Sequence, residues 1–270
     1  MAIYPVHLCQ PDANKSCGAC CGLYNYQDHS RVFLQTLLQK RTELFHSFGN
    51  ALHFESYRNE SASFETSPKL LDAIYNCEFL GFLDEDEKRV GCLLHPSRNQ
   101  EKDLRAHTFY GLELCAGHFC PSHSYLTVIE QKAVVATLDD WYLYGLVITD
   151  IDLVKEFFRQ SQTRMGDSLR PERWQDESVQ KSLRDFFALK ECWEFSAKRN
   201  RLGKYYFSHS EYQIARIEYE KKWRIKPSRF HKILLSLSSD FSSLEEVRIA
   251  EALIDEKIEA FVKAYESCSI

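Results

Sequence analysis

The sequence predicts a mainly α-helical chain of the α+β class in two parts. An N-terminal cysteine-rich module with one β-hairpin and one long helix is followed by an α-helical domain. Three observations predict it. Eight of the ten cysteines (Cys9, Cys17, Cys20, Cys21, Cys77, Cys92, Cys115 and Cys120) fall before position 121, leaving Cys192 and Cys268 isolated. Two apolar runs flank DEDEK within NCEFLGFLDEDEKRVGCLLHP, which reads as a hairpin. From Ser124 onward helical periodicity dominates. The boundary therefore falls between a module over 1–123 and a helical domain over 124–270.

In chain order, Asp28 or Ser30 can cap a helix running to Phe48, because Phe33, Leu34, Leu37, Leu38, Leu44, Phe45 and Phe48 recur at three- and four-residue steps. Gly49 is a natural stop. Residues 50–68 are polar and aromatic without a period, and are expected as a loop with a short extended piece. The hairpin follows, with Cys77 and Cys92 on its strands, and then an irregular segment over 96–114. Helical patterns cover roughly 125–139, 149–164, 174–189, 210–222, 228–237 and 243–266. The last is the clearest: Ser243 and Glu246 have capping-box spacing, and Val247, Ala250, Leu253, Ile254, Ile258, Phe261, Val262 and Tyr265 share a face.

With 44% hydrophobic and 27% charged residues among 270, the composition is that of an ordinary globular protein. A net charge of −5 gives no reason to expect nucleic acid or an anionic membrane as a partner. No apolar run approaches the ~18 residues of a membrane span. The start, MAIYPVHLCQ, lacks a basic segment followed by an apolar one, so a cytoplasmic location is expected. In that compartment disulfides seldom persist, and the cysteines need another use.

KSCGACCG, residues 15–22, carries three of them. A metal-binding knuckle holds two thiolates a turn apart on a short loop whose small residues let backbone amides donate to sulfur, and Cys17-Gly18-Ala19-Cys20 meets that requirement. Alone, C-x2-C would equally suit a redox dithiol. Here Cys9, Cys77, Cys92 and the C-x4-C pair Cys115 and Cys120 supply enough thiols for two four-ligand zinc sites or for an iron–sulfur cluster. The implied partner is a metal ion. Adjacent side chains diverge by about 100° in a helix and point to opposite faces of a strand. Cys20 and Cys21 therefore either serve different metal atoms or are not both ligands. His95 and His118 are possible additional ligands, and His107 and His123 also lie close to cysteines in sequence. Isolated Cys192 and Cys268 read as buried apolar groups.

The order C-x2-C-C-G, then a cysteine pair flanking a short hairpin, then a late cysteine pair resembles the YkgJ-like cysteine-cluster family, described as zinc- or iron-chelating (CxxCxxCC type). Cys17, Cys20 and Cys21 match its first block, and Cys77, Cys92, Cys115 and Cys120 its later cysteines. The upstream cysteine, Cys9, is separated from Cys17 by seven intervening residues where a short gap is usual. The family's arginine–proline segment is replaced by His95-Pro96 and DLRAHTFYG. The resemblance spans residues 9–120, implies metal chelation and implies no particular reaction.

Whether the chain is an enzyme is left open by its motifs. It has no G-x-G-x-x-G, G-x4-G-K-[ST], H-E-x-x-H or G-x-S-x-G. Asp139-Asp140 and Asp150/Asp152 sit at expected helix starts, where capping accounts for them. Two further readings stand beside metal binding. One is an iron-dependent redox or modifying enzyme built on the same cysteines. The other is an adaptor for nucleic acid or protein that uses EKKWRIKPSRFHK, where Lys and Arg alternate with Trp223 and Phe230 on an otherwise charge-balanced half.

Overall fold

The computed structural model describes residues 7–49, 52–196, 201–207 and 210–268. The chain is mostly helical with two small antiparallel hairpins, and it divides into two units. One comprises Cys9–Cys120 with Asp140–Gly145; the other comprises Met1–Leu8, Pro121–Asp139 and Leu146–Ile270. Among the described residues no helix is long and apolar enough to cross a membrane.

In the cysteine-bearing unit, Ser30 caps α1 (Arg31–Phe48), its hydroxyl accepting from the Phe33 amide at 3.3 Å. Leu34, Leu37, Leu38 and Arg41 form the buried face. The charge of Arg41 is tolerated there because its guanidinium is partnered. It donates to the Cys77 carbonyl at 3.1 Å and the Tyr26 hydroxyl at 3.0 Å, and pairs with Glu65 at 2.5 Å. After Gly49 the structure departs from the expected loop. A second helix, α2 (Phe54–Ala62), is capped by His53 and buries Tyr57 and Ser61. Two buried positions in nine leave no legible period.

The hairpin pairs β1 (Leu80–Phe82) with β2 (Val90–Cys92), placing Leu80 opposite Cys92 and Phe82 opposite Val90. Its strands are shorter than the apolar runs suggest. Cys92 ends β2, whereas Cys77 lies before β1, and the amide of Cys77 donates to the Cys21 carbonyl at 2.9 Å. The Phe82 amide donates to Thr42 Oγ1 at 2.8 Å, fixing the hairpin on α1. Short 3-10 turns at Pro96–Arg98 and Arg105–His107 lead to α3 (Gly111–Gly117).

Residues 140–145 open α6 (Trp141–Ile148), which follows α4 (Ser122–Tyr125) and α5 (Val128–Thr137) in the chain. The Tyr24 hydroxyl donates to the Tyr142 carbonyl at 2.9 Å, and the Tyr142 hydroxyl donates to the His29 carbonyl at 2.8 Å. Periodicity gave no sign of α6 because WYLYGLVI is apolar and buried on every side. Asp140 caps it through the Leu143 amide at 2.9 Å, the capping role expected of this acid.

The other unit is a helical body of α4, α5, α7 (Ile151–Met165), α8 (Glu177–Phe187), α9 (Leu189–Cys192), α10 (Tyr219–Trp223), α11 (His231–Ser236) and α12 (Leu244–Ser267). Phe157 of α7 meets Phe186 of α8 at 4.2 Å and Phe261 of α12 at 5.0 Å between ring centroids, which marks the core. Asp150 caps α7 through the Leu153 amide at 3.0 Å and holds the buried Lys190 ammonium at 2.6 Å. The helix expected over 210–222 is instead strand β4 (Ser210–Gln213), antiparallel to β3 (Lys204–Phe207), followed by the five-residue α10. The Tyr-Tyr-Phe run of β3 supplies a partner strand that a helical period cannot reveal.

Candidate metal centre

KSCGACCG folds as a 3-10 turn over Ala19–Cys21 closed by Gly22 at φ 81°. A Cβ on Gly22 would lie 2.5 Å from the Tyr75 carbonyl oxygen, so this position needs glycine for both its backbone and its surroundings. The Ser16 hydroxyl accepts from the Val90 amide at 2.5 Å and the Gln10 amide group donates to the Val90 carbonyl at 2.8 Å. These bonds tie the cysteine loop to β2.

All ten cysteines are thiols, with no disulfide between them. The eight of the first unit sort into two groups by which of them act electrostatically on one another. In the first group, burial and the neighbouring Cys120 push Cys9 up to about 12. Burial, then Cys9, raises Cys17, against the opposing pull of the Ala19 amide, and Cys120 adds to the rise. Cys20 is raised by its hydrogen bond to Cys120, by burial, and by Cys120, Cys17 and Cys9. In the second group, Cys21 is raised by burial and then by Cys77, Cys92 and Cys9, with Cys115 last. Cys77 is raised by burial, Glu78 and Cys92. Burial takes Cys92 up to about 11, with Cys115 adding and Arg105 opposing. These two quartets, Cys9, Cys17, Cys20, Cys120 and Cys21, Cys77, Cys92, Cys115, merge rather than separate, since Cys9 acts on Cys21 more than Cys115 does.

Backbone geometry within each quartet is that of a sulfur-binding turn. The Ala19 amide donates to Cys17 Sγ at 3.5 Å. The Phe79 amide donates to Cys77 and the Leu94 amide to Cys92, again from two residues downstream. Such amides stabilise a thiolate. The Cys17 amide donates to the Cys9 carbonyl at 2.9 Å, in parallel with the Cys77 to Cys21 bond of the second quartet. Each quartet therefore has two of its members joined through the main chain.

Residues beyond the cysteines complete the surroundings. Tyr144, fully buried, stands by the first quartet, where burial and then Cys17, Cys9 and Cys120 raise its phenol. Tyr110 stands by the second, raised by burial and by Cys21, and donates to the Tyr75 carbonyl at 3.1 Å. Arg41 binds the Cys77 carbonyl and Arg105 the Cys115 carbonyl at 3.3 Å. Sequence reasoning missed these four, although Arg41 left a signal as the one charge on the apolar stripe of α1.

The histidines divide. His95 caps the Pro96–Arg98 turn, with Nδ1 2.8 Å from Ser97 Oγ. His107 stacks on Phe54 at 3.8 Å. His118 is the C-cap of α3 and has a buried Nε2. His123 belongs to the other unit, where its ring meets that of His7 at 6.1 Å and burial and His7 hold its basicity low. Cys192 is exposed, against the expectation of burial, and its thiol donates to the Ala188 carbonyl at 3.2 Å. Cys268 is half-buried.

Among the described residues, no three His, Cys, Asp or Glu side chains are drawn to the spacing of a finished metal ligand set. The donors nonetheless suit a soft metal in kind: unpaired thiols, buried or half-buried, three of them already receiving amide hydrogens. No family model, curated protein or solved structure matches this chain. The basic stretch 220–232 is largely paired with acids: Lys221 with Glu218 at 3.0 Å, Lys222 with Asp240 at 3.4 Å and Arg229 with Asp255 at 2.5 Å.

Proposed function

We propose that this chain is a metal-binding protein that holds zinc or an iron–sulfur cluster through Cys9, Cys17, Cys20, Cys21, Cys77, Cys92, Cys115 and Cys120. The observation that carries the reading is the gathering of unpaired thiols in one unit, where Cys17 is bonded to Cys9 and Cys77 to Cys21 through the main chain and Cys21 and Cys92 pack against the cluster of Cys77. Burial of cysteines as small apolar groups gives no reason for an amide donor such as that of Ala19 at Cys17. Thiolate ligation of one or two metal centres accounts for it. The YkgJ-like order of the cysteines points the same way.

Buried, mutually repelling thiols are held neutral, and a bound divalent cation reverses that balance. Binding would therefore release protons. Zinc bound by four thiolates supplies structure, whereas an iron–sulfur cluster supplies electron exchange. The chain's own part is to aim the sulfurs through the Cys17, Cys77 and Cys92 turns and to neutralise charge through Arg41 and Arg105.

Anaerobic purification followed by metal analysis and a visible spectrum tests this reading. A colourless protein with about two zinc ions per chain, or a brown one with iron and labile sulfide, is the expected result. A metal-free chain whose cysteines are paired as disulfides would overturn it.

A further inference from the structure

His231 opens α11 with its ring half-buried and its Nδ1 buried without a hydrogen-bond partner among the described residues. The ring meets that of Tyr219, a buried residue of α10, edge-on at 5.5 Å between centroids. Its charged surroundings are two ammonium groups and the carboxylate they share. From β3, Lys204 reaches Asp152 of α7 at 2.5 Å and Glu211 of β4 at 2.9 Å; from α11 itself, Lys232 reaches the same Asp152 at 3.4 Å. Burial and then Lys204 hold the basicity of His231 down; Asp152 opposes them and Lys232 adds to them. Burial and Glu251 of α12 push the Tyr219 phenol up, so it brings no charge to the ring. All of these groups belong to the helical unit.

We propose that His231 is an acid-sensitive pin: on taking a proton from solvent it frees Tyr219 and the chain from α10 into α11 from the rest of the helical unit. A neutral ring can keep its single proton on Nε2 and leave Nδ1 bare, whereas an imidazolium carries a hydrogen on both nitrogens. Protonation therefore sets a charged donor where no acceptor stands, and a third cation beside a carboxylate already shared by two. Few other bonds hold the segment. Ser228 donates to Glu251 at 2.5 Å, Gln160 donates to the Arg229 carbonyl at 3.1 Å, and the largely exposed Arg229 pairs with Asp255 at 2.5 Å. Opening it needs less free energy than unfolding the unit, and the five-residue α10 cannot persist undocked. The freed chain is the basic and aromatic stretch over 220–232, so its lysines and Trp223 become available as the pH falls. An open histidine titrates near 6.5. The docked ring binds its proton more weakly, so docking is complete above that pH and is lost as the pH falls through it.

The test is hydrogen exchange of the full-length chain, followed by mass spectrometry between about pH 5 and 8 and corrected for the intrinsic rate. The amides of Lys222, Arg224 and His231, bonded within the segment, are the reporters. Their protection should fall by up to about tenfold per pH unit below about 6.5, while peptides of α7, α8 and α12 keep theirs. His231→Phe retains a ring against Tyr219 without the titration, and should flatten that dependence. By NMR the wild-type His231 ring should titrate below about 6.5, and Lys232→Gln, which removes a neighbouring cation, should raise the midpoint. If His231→Phe does not fold, the wild-type titration and the Lys232→Gln shift decide. Protection over 219–232 that ignores pH, a dependence that persists in His231→Phe, or a wild-type midpoint at or above about 6.5 would overturn the pin.

Discussion

Gly22 closes KSCGACCG at a positive φ, with the Tyr75 carbonyl where a side chain would begin. Its replacement strains the turn that carries Cys20 and Cys21. Gly22→Ala is expected to destabilise the cysteine-bearing unit by about 1–3 kcal/mol, read as a lower denaturant midpoint. The same substitution should lower the metal retained per chain, because Cys21 and Cys77 share a main-chain bond across this turn. At this scale much of the site was legible in sequence. Adjacent cysteines must diverge, and small residues in the knuckle let the Ala19 amide reach the Cys17 sulfur. The different settings of Cys115 on α3 and of buried Cys120 beyond it were not legible, because a seven-residue helix with no buried face leaves no period to read.

Helices with one apolar face and a polar cap were readable; those buried on all sides, or barely buried, were not. Thus α1 and α12 appear where Ser30 and Ser243 announce them. In α12, Glu246 reaches back to the Ser242 amide at 2.7 Å instead of closing a box on Ser243. By contrast α2 and α6 escaped, for opposite reasons: too few buried positions in one and no exposed ones in the other. The pairing of β3 with β4 escaped because the partner strand β3 lay outside the window that suggested a helix. Of the caps, the reciprocal box at α5 is complete, with Thr127 accepting from the Glu130 amide at 3.2 Å and Glu130 accepting from the Thr127 amide at 2.7 Å. Thr127→Ala should therefore cost about 1 kcal/mol, measured by urea unfolding of the helical unit, and leave metal content unchanged.

At the scale of the molecule, the two units differ in what stabilises them. The helical unit has an aromatic core built from α7, α8 and α12, in which Phe157, Phe186 and Phe261 meet, and a buried Lys190–Asp150 pair whose ammonium also donates to the Ser236 carbonyl at 2.7 Å. The cysteine-bearing unit has short strands, a long irregular stretch after β2, and eight thiols, two buried and six half-buried. A tetrathiolate zinc site is worth roughly 10–16 kcal/mol on an apparent scale. A whole domain is stable by only about 5–15 kcal/mol. If metal fills both quartets, its removal takes away a free energy as large as the unit's entire stability. Treatment with a strong chelator under reducing conditions should then collapse the dispersed NMR signals of residues 9–120 while the signals of α7, α8 and α12 stay in place. Far-UV circular dichroism should fall only partly, since most of the helix lies in the other unit. Unchanged dispersion across 9–120 after complete chelation would show that packing alone sustains this unit, and the quartets would then need another explanation.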